Sequence, residues 1–479
     1  MKNGKTPWLP VAIFAAGSSL FLLKRVPKVL GGAIIKDIGN RLVKDPYVEN
    51  LWELISATKR VSPQTLIENS LRSECGQPLK RPLGSPKRII DFDGLVFNIA
   101  QMATEPYGGI VDTSVVIGPQ AQHPLKLQTP LMVSGMAYGL ALSQRAKLAL
   151  AKGAAAAGTA TNSGESGFWM RERKATRYYI VQYHRGQWNK NLDWCKYADM
   201  LEIQIGQGAS AGTPHVSKGK DLKGSAQRFL GLNKGENAFI AAGHDMVDKP
   251  ADLRALVDLL REKGGGVPVG IKMGGSNQLE EDMEIAVEAG VDFIALDGGE
   301  AATVGSEPIL QDGFGLPTLI ALSRGARFLE ERGLKGRISL IIGGGLYHPE
   351  HFLKAMALGA DGIYLGSVCL FAIAHQQIFL PLPWEPPTTL VYYTGRYKKR
   401  LNVKKAAQGL TNFLKACTAE MAIGVQALGK DSLRAVDKHD LVCLDERTAQ
   451  ITGVKLAWEP NGQSVKEYLP PPHEGIPST

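Results

Sequence analysis

The amino-acid sequence predicts an α/β protein built on a (β/α)8 TIM barrel, and three observations support this fold class. Short apolar runs alternate with helix-like segments of about 10 to 20 residues between Pro130 and Gln376, a pattern typical of a parallel sheet. Six clear runs and two weaker ones reach the eight strands that a barrel needs. The alternative fold is an open doubly wound sheet. Its typical signature is a G-x-G-x-x-G turn after a strand, with an acidic residue about 20 residues later, and no apolar run of this sequence is followed by that pattern.

The chain begins with a segment that is typical of a membrane anchor. No charged residue falls between Thr6 and Leu23, and these 18 residues are at the short end of the length that spans a bilayer. Six Lys and Arg side chains lie between Lys24 and Lys44, against two before the run, so the positive-inside rule predicts a cytoplasmic catalytic domain. We therefore predict a single-pass anchor at residues 1–25, with a cleaved signal peptide or a buried or surface-lying helix as the alternatives.

Three further segments follow the predicted anchor. Residues 26–102 are basic with short helical patterns, residues 103–445 contain the barrel and C-terminal helices, and residues 446–479 are predicted to be a flexible, Pro-rich tail. The clear apolar runs of the barrel are 131–136, 200–205, 267–272, 293–296, 339–343 and 362–366. The two weaker runs are 158–161 and 239–242.

Composition excludes several classes of protein. With 44% apolar and 21% charged residues, the chain is typical of a soluble globular enzyme rather than of a disordered or multi-span membrane protein. The net charge of +9 is spread out with no Lys/Arg block of five or more, so no nucleic-acid partner is expected. The five cysteines are widely spaced with no C-x-x-C pair, which argues against a disulfide framework and a zinc site.

Polar and glycine-rich residues follow the apolar runs, where barrel enzymes carry their functional residues. These segments are 134–139, 161–167, 204–208, 272–275, 297–300, 343–345 and 365–367. Glycine amides can bind phosphate at the start of a helix, and the last two loops of a barrel are its usual phosphate site. The pattern predicts a phosphate-bearing cofactor, and the alternative is that the glycines only form tight turns.

Two polar residues at strand ends indicate what this cofactor is. Lys272 is expected to point into the barrel mouth, and a buried ammonium needs an anionic partner. A flavin supplies one, since its reduced ring is negative near N1 and C2=O, and a carboxylate such as Asp297 or Glu202 is the alternative. Gln204 is expected either to hydrogen-bond the ring edge or to be a satisfied polar residue of the barrel core.

Three residues are candidates for proton transfer. Glu165 is favoured because it lies in a strand-end loop, although acids in loops also stabilise them by bonding to the backbone. His244 and Asp245 are weaker candidates.

Nine short motifs, in order along the chain, carry a resemblance to a known family. They are SGMAYG (134–139), TNSGE (161–165), LEIQIGQGA (201–209), GHD (243–245), DGG (297–299), GGG (343–345), LTNF (410–413), ALGKDSL (427–433) and HDL (439–441). With these motifs the chain resembles the FMN-binding domain of glutamate synthase over about residues 86–445, and it is most similar to stand-alone, membrane-associated members. The resemblance implies an FMN-dependent barrel that reduces an imine to an amino acid such as glutamate. The imine would form from a 2-oxo acid, 2-oxoglutarate in the family, and ammonia or an amine.

The resemblance also implies which residues form the site. The implied cofactor residues are Gly135, Met136, Thr161, Gln182, Lys272, Gly298, Gly299, Gly343, Gly344, Gly345, Gly366 and Ser367. The expected catalytic residues are Lys272, Glu165 and Gln204, and no metal ion is expected. The three clustered cysteines that hold an iron–sulfur cluster in the family are reduced here to Cys369, so no such cluster is expected. The electron donor is left open between ferredoxin and a reduced nicotinamide cofactor.

The chain departs from the family at the keto-acid site. The family carries two lysines there that help bind 2-oxoglutarate, and this chain has Gln204 and Ser210 instead. A glycine pair further on is replaced by Pro214-His215, and Lys218 or Lys220 is the candidate replacement cation. Two alternative functions therefore stay open, an FMN barrel that oxidises a 2-hydroxy acid and a non-catalytic flavin-binding component of a membrane complex.

Overall fold

In a computed structural model of the chain, the described residues are 28–459, apart from 47–49, 82, 88, 189, 245, 248, 302–305 and 383–385. They divide into two units at the boundary between Leu79 and Lys80. The predicted anchor at residues 1–25 lies outside the described residues, and the domain boundaries at 102 and 445 stay predictions.

The first unit is helical. Its helices are α1 (Lys28–Lys44), α2 (Leu51–Arg60) and α3 (Pro63–Cys75). Ser62 caps α3 by accepting a hydrogen bond from the Thr65 amide at 3.2 Å, and Gly76 ends the helix in a left-handed conformation at φ 58°. Among the helices of the described residues, none has both the length and the apolar composition needed to cross a membrane.

The second unit contains a closed barrel. Its described strands are β1 (Leu95–Phe97), β2 (Val115–Ile117), β3 (Leu125–Leu127), β4 (Leu131–Val133), β5 (Ala160–Asn162), β6 (Tyr178–Tyr183), β7 (Met200–Gln204), β8 (His215–Ser217), β9 (Ala238–Ile240), β10 (Val269–Gly274), β11 (Phe293–Asp297), β12 (Ser339–Gly343), β13 (Gly362–Leu365) and β14 (Leu441–Cys443). Strands β4–β7 and β10–β13 are parallel, and the barrel closes where β13 pairs with β4. The predicted eight-stranded TIM barrel is confirmed.

One of the eight predicted strands is wrong. Run 239–242 overlaps β9, which pairs antiparallel with β8 outside the barrel, with Ala238 and Ile240 buried and Phe239 half exposed. The missing barrel strand is β6, whose sequence YYIVQY mixes aromatic and polar residues and so lacks a continuous apolar run. The Gln182 side chain on this strand is buried, and its amide nitrogen is satisfied because it donates a hydrogen bond to Glu202 at 2.7 Å.

Helices connect the barrel strands and extend the C-terminal part of the unit. They are α4 (Gln144–Ala156), α5 (Met170–Arg173), α6 (Ser225–Phe229), α7 (Pro250–Gly264), α8 (Leu279–Glu288), α9 (Pro308–Gly313), α10 (Thr318–Glu331), α11 (Pro349–Ala357), α12 (Ser367–Ala374), α13 (Pro386–Val391), α14 (Val403–Ala427) and α15 (Glu446–Thr452). Helix α14 packs against α4 at Gly153, where a Cβ atom would lie 2.8 Å from the Leu410 side chain. Helix α14 lies in the helical C-terminal extension that the sequence predicts, whereas α15 begins at residue 446, within the segment that the sequence predicts to be a flexible tail.

Candidate active site

Four buried polar residues from the barrel strands form one hydrogen-bonded group, which we call the inner network. Glu202 on β7 accepts hydrogen bonds at Oε1 from Asn162 Nδ2 at 2.8 Å and from Gln182 Nε2 at 2.7 Å. Its Oε2 accepts a third from the Tyr364 hydroxyl at 2.6 Å. Burial and the neighbouring Glu202 carboxylate raise the pKa of Tyr364 well above its usual value, so this hydroxyl stays a donor.

Lys272 lies against the inner network, with Nζ 5.0 Å from the centre of the Tyr364 ring. The ammonium is 3.1 Å from Asp297 Oδ2 and donates a hydrogen bond to Ser134 Oγ at 3.3 Å. Burial raises the pKa of Asp297, and the Lys272 charge opposes that rise. The carboxylate that the sequence offers as the alternative partner of Lys272 is therefore in contact with it, and the lysine charge is compensated within the chain.

A second group, the mouth cluster, consists of Glu165, Arg185, Gln204 and His215. Glu165 and Arg185 follow β5 and β6, Gln204 ends β7, and His215 begins β8. Glu165 accepts a hydrogen bond at Oε1 from Gln204 Nε2 at 2.6 Å, and its Oε2 lies 3.3 Å from His215 Nε2. Burial alone would raise the pKa of Glu165, but His215, Gln204 and Arg185 lower it to about 2.

The same contact changes the titration of His215. Burial is the largest single influence and lowers the pKa of His215, but the hydrogen bond and the charge of the Glu165 carboxylate, together with a hydrogen bond to the Thr213 backbone, outweigh it, and the net pKa is raised. The cluster therefore holds an ionised carboxylate beside an imidazole whose proton-bearing form is favoured.

Arg185 connects two loops at the strand ends by hydrogen bonds. Its Nη1 donates hydrogen bonds to the backbone oxygens of Ala241 at 2.8 Å, of Ala242 at 3.2 Å and of Gly212. Its Nε is buried and has no hydrogen-bond partner among the described residues. A buried guanidinium with an unused donor is suited to bind a carboxylate.

His244 supports the end of β7. Its Nε2 lies 2.7 Å from the backbone oxygen of Gln204, and its ring stacks on Tyr183 with ring centres 5.4 Å apart. These contacts hold the strand that carries Gln204 in the mouth cluster. The other weak acid–base candidate, Asp245, lies outside the described residues.

The structure brings together two of the three predicted catalytic residues, Glu165 and Gln204, and places Lys272 in a separate buried pair. Sequence reasoning missed Arg185 because it missed β6, the strand that Arg185 follows. The sequence indicates His215 only as a departure from the glycine pair of the family. Its position beside Glu165 comes from the β8–β9 hairpin, which no local pattern indicates.

The residues expected to supply cations for the keto acid do not join the mouth cluster. Ser210, at one of the two family lysine positions, shares a hydrogen bond of 2.6 Å with Ser306. Lys218 and Lys220 are exposed, and neither forms an ion pair with an acid in the described part of the chain. The cations nearest Glu165 are therefore His215 and Arg185.

The glycines of the strand-end loops differ in what a side chain would meet. A Cβ atom on Gly298 or Gly344 would overlap Thr318, the first residue of α10, so packing explains these glycines. A Cβ atom on Gly366 would meet no atom within 4 Å. Among the predicted cofactor glycines, Gly366 is the one that borders open space.

The phosphate of a cofactor fits best at Gly366. Helix α12 begins at the next residue, Ser367, and no side chain caps its N-terminus, so its free N–H groups and its dipole favour an anion. The preceding loop is different, because the cavity of about 250 Å³ beside Gly345 is lined by charged residues of both signs, among them Glu300 and Lys87. Glu300 caps α10 by accepting hydrogen bonds from Thr318 N at 2.8 Å and Oγ1 at 2.6 Å, so a carboxylate already occupies the N-terminus of that helix.

Two buried amide oxygens give an independent test of whether a flavin fits. Oε1 of Gln182 and Oε1 of Gln204 have no hydrogen-bond partner within the described chain. A buried polar atom without a partner is costly, and ring N–H or ribityl O–H donors would satisfy both oxygens. The backbone at Gly135 also comes close, since a Cβ atom there would lie 2.8 Å from Gln182 Nε2. The residues present therefore fit FMN.

Three other predicted cofactor residues have contacts within the chain. Met136 is buried in the loop after β4. Thr161 donates a hydrogen bond to Glu172 at 3.4 Å, and a Cβ atom on Gly299 would lie 3.0 Å from the Phe314 backbone oxygen. Their contact with a cofactor stays a prediction.

The chain is similar to known proteins over most of its length. Residues 98–431 match the family described as the conserved region in glutamate synthase. A glutamate synthase large subunit-like protein of Rhizobium meliloti (strain 1021) is 30% identical over 404 residues, which cover 79% of this chain and 91% of that protein. An archaeal-type glutamate synthase (NADPH) of Thermotoga maritima is 28% identical over 398 residues, which cover 81% and 76%. Among solved structures, a mutant flavocytochrome b2 with benzoylformate aligns with 81% of this chain and 84% of that chain, at 18% identity and a TM-score of 0.49.

Proposed function

The chain belongs to the glutamate synthase family, which consists of oxidoreductases acting on CH–NH2 donors, and on this basis we propose that it reduces an imine with FMN as cofactor. The imine forms from a 2-oxo acid and ammonia or an amine, and the product is an amino acid such as glutamate. The observation that supports this proposal most directly is the mouth cluster, where a proton-bearing imidazole lies against a fixed carboxylate.

The cofactor residues that we assign have different tasks. The loop at Gly366 would hold the phosphate, and Gln182 Oε1 would accept a hydrogen bond from the ring. An ammonium has three N–H donors, and Lys272 uses one on Ser134 and one on Asp297, which leaves one for the ring. FMN, when bound, supplies the hydride for the imine carbon.

Reduction of an imine also requires a proton at the nitrogen atom. We assign this proton to His215, because the Glu165 carboxylate raises its pKa and favours the protonated form. Glu165, with a pKa of about 2, is ionised at neutral pH, so it orients His215 rather than donating a proton itself. The proton-transfer role that the sequence suggests for Glu165 moves to its neighbour.

The carboxylate of the substrate needs a cation. In place of the two family lysines this chain has Gln204 and Ser210, which are neutral and are bonded to Glu165 and to another serine. We assign the carboxylate to Arg185, whose buried Nε has no partner within the described chain. Because one guanidinium replaces two ammonium groups, a 2-oxo acid with a single carboxylate is expected to bind at least as well as 2-oxoglutarate.

The test is anaerobic flavin chemistry on the purified protein. We expect FMN to be released on denaturation, and we expect the reduced protein to be reoxidised by at least one pair of oxo acid and amine with formation of the amino acid. Reduction of the oxidised protein by a 2-hydroxy acid would support the alternative oxidase function instead. A bound flavin that no pair reoxidises would support the non-catalytic alternative.

The buried thiols bear on the electron donor. A three-iron cluster needs three thiolates, and after Cys369 the next cysteine is Cys417, 48 residues further along the chain. This supports the expected lack of an iron–sulfur cluster. The donor, ferredoxin or a reduced nicotinamide cofactor, would then pass electrons directly to the flavin.

The membrane anchor remains part of the proposal. The uncharged run between Thr6 and Leu23, with more basic residues after it than before it, supports a single-pass anchor and a cytoplasmic catalytic domain. Cell fractionation with a high-salt wash, which screens electrostatic binding to lipid, tests this. The full chain should stay in the membrane fraction, and deletion of residues 1–25 should release flavin-loaded protein.

A further inference from the structure

An apolar surface follows the last barrel helix. From Ser367 to Leu382 the sequence contains no Asp, Glu, Lys or Arg. Four apolar side chains of this stretch are exposed, and we call them the apolar patch: Phe371, Phe379, Leu380 and Leu382. Phe379 is 81% exposed and Leu382 55%, although contiguous exposed apolar side chains are uncommon unless they contact something.

A strongly basic segment follows in the sequence. Between Pro387 and Ala419 there are seven basic residues and no acidic one, so this stretch carries +7 of the net charge of +9. Six of the seven basic residues form what we call the basic patch: Arg396, Lys398, Lys399, Arg400, Lys404 and Lys405.

Hydrogen bonds connect the two patches. The Gln377 side chain, two residues before Phe379, donates a hydrogen bond from Nε2 to the Arg400 backbone oxygen at 3.0 Å and accepts one at Oε1 from the Asn402 amide at 2.7 Å. Arg145 at the start of α4 donates to the Leu401 backbone oxygen at 3.1 Å. Since α4 begins after β4 ends, the patches lie toward the end of the barrel that carries the mouth cluster.

The cations of the basic patch contact tyrosines but not acids. Lys398 donates a hydrogen bond to the Tyr393 backbone oxygen and lies 4.1 Å from the centre of the Tyr393 ring, and Arg396 and Arg400 lie over the Tyr397 ring. None of the six cations forms an ion pair with an acid among the described residues, whereas other surface cations do, as in Arg434–Asp112 and Arg324–Glu280. Lys404 and Lys405 lie in the first turn of α14, where the positive end of the helix dipole disfavours cations. An external anionic surface would compensate this arrangement.

We propose that the two patches together bind an anionic lipid bilayer, with the apolar side chains at the headgroup boundary and the basic ones against the lipid phosphates. Exposed Phe and Leu side chains next to clustered Lys and Arg are the combination that attaches proteins to membrane surfaces. An acidic protein would match the charges but would leave the uncharged, exposed stretch at Phe379 without a reason. The proposal is independent of the enzymatic activity, and it turns the mouth of the barrel toward the membrane.

The experiment places a fluorescent probe on the apolar patch of the full chain, so that contact is measured even if residues 1–25 already hold the protein on the lipid. Phe379→Cys, in a Cys75→Ser background that removes the exposed native thiol, is labelled with an environment-sensitive dye. We expect its emission to shift to the blue on vesicles of phosphatidylcholine with phosphatidylserine, less so on phosphatidylcholine alone, and less at high salt. A dye at Arg337→Cys, at the other end of the barrel, should not shift.

Charge reversal decides the role of the basic patch. Lys404→Glu with Lys405→Glu should raise the amount of anionic lipid needed for the half-maximal shift by about tenfold. Its melting temperature should stay the same or rise, because acids suit the first turn of a helix. The matched control, Lys335→Glu with Arg337→Glu, has the same change in charge and should behave as wild type. An unchanged lipid requirement in the first pair would overturn the proposal. A shift produced by polyglutamate but not by vesicles would overturn it in favour of an acidic protein. A lipid-free, concentration-dependent shift would overturn it in favour of a second copy.

Discussion

The inner network and the mouth cluster both surround a buried glutamate. They differ in whether buried partners within the chain compensate the charges of the group. Glu202 accepts hydrogen bonds from three buried donors, and the adjacent Lys272 is paired with Asp297. Glu165 is equally buried, but its partner His215 is exposed and titratable. A charged residue at a barrel strand end is therefore not evidence of catalysis by itself. The group that remains open to ligand and to protons is the better candidate.

The largest effect is expected from breaking the pair beside the inner network. Lys272→Met leaves Asp297 buried without its partner, and loss of one member of a buried ion pair costs about 3–5 kcal/mol. We expect the free energy of unfolding, measured by urea denaturation, to fall by about this amount. The double variant with Asp297→Asn should recover part of the loss because no lone charge remains. If the single variant is as stable as wild type, the pair does not compensate the lysine charge.

His215→Gln should separate the two groups by affecting activity rather than stability. The His215 side chain is exposed, and the glutamine amide can still donate a hydrogen bond to the buried Glu165 carboxylate, so the free energy of unfolding should change by about 1 kcal/mol. Loss of a general acid should slow turnover at least about 100-fold. Steady-state rates measure the loss of turnover, and urea denaturation of the same sample measures the free energy of unfolding. A parallel loss of stability and rate would assign His215 a structural role.

Gly366→Leu tests where the cofactor binds relative to the two groups. A Cβ atom at Gly366 meets no atom of the chain within 4 Å, so the variant should fold, but it should lose most of its FMN because the leucine side chain enters the proposed phosphate space. Flavin released per chain measures this. Gly108→Leu is the control, since a Cβ atom there also has open space and the residue lies between β1 and β2, outside the barrel. Equal FMN in both variants would place the phosphate elsewhere.

The smallest effect is expected in the pH dependence of stability. Glu165 has a folded pKa of about 2, below the unfolded value of about 4.3, so its contribution is present above about pH 4.3 and is lost as the pH falls toward 2. The pKa of His215 is raised, so its contribution is present below about pH 6.5 and is lost as the pH rises through the folded pKa. Melting temperatures across this range should fall at both ends in wild type. Glu165→Gln should flatten both declines, and unchanged declines would mean that other groups cause them.

Much of the barrel could be predicted from sequence because most of its strands are buried, continuous apolar runs. Strand β6 could not be predicted in this way because three of its six residues are tyrosines and one is the glutamine that donates a hydrogen bond to Glu202. Strand β9 was included in error because a short apolar run does not show whether it pairs inside a barrel or in an amphipathic hairpin.

The residues of the candidate site also differ in whether the sequence could predict them. Glu165 and Gln204 could be predicted because both follow apolar runs at strand ends. Arg185 could not, since it follows the strand that was missed, and His215 depends on a hairpin that folds back on the barrel. The partner of Lys272 was left open by the sequence between a flavin and a carboxylate, because only tertiary contacts decide which anion lies beside a buried ammonium.

The central claim is that His215 donates the proton that completes imine reduction at the flavin. The most direct measurement is the rate at which anaerobically reduced protein is reoxidised by an oxo acid and ammonia as the pH rises, at a constant concentration of free ammonia. The wild-type rate should fall with the protonated fraction of His215, and His215→Gln should be slow at every pH. A variant that is as fast as wild type, with the same decline toward alkaline pH, would contradict the claim.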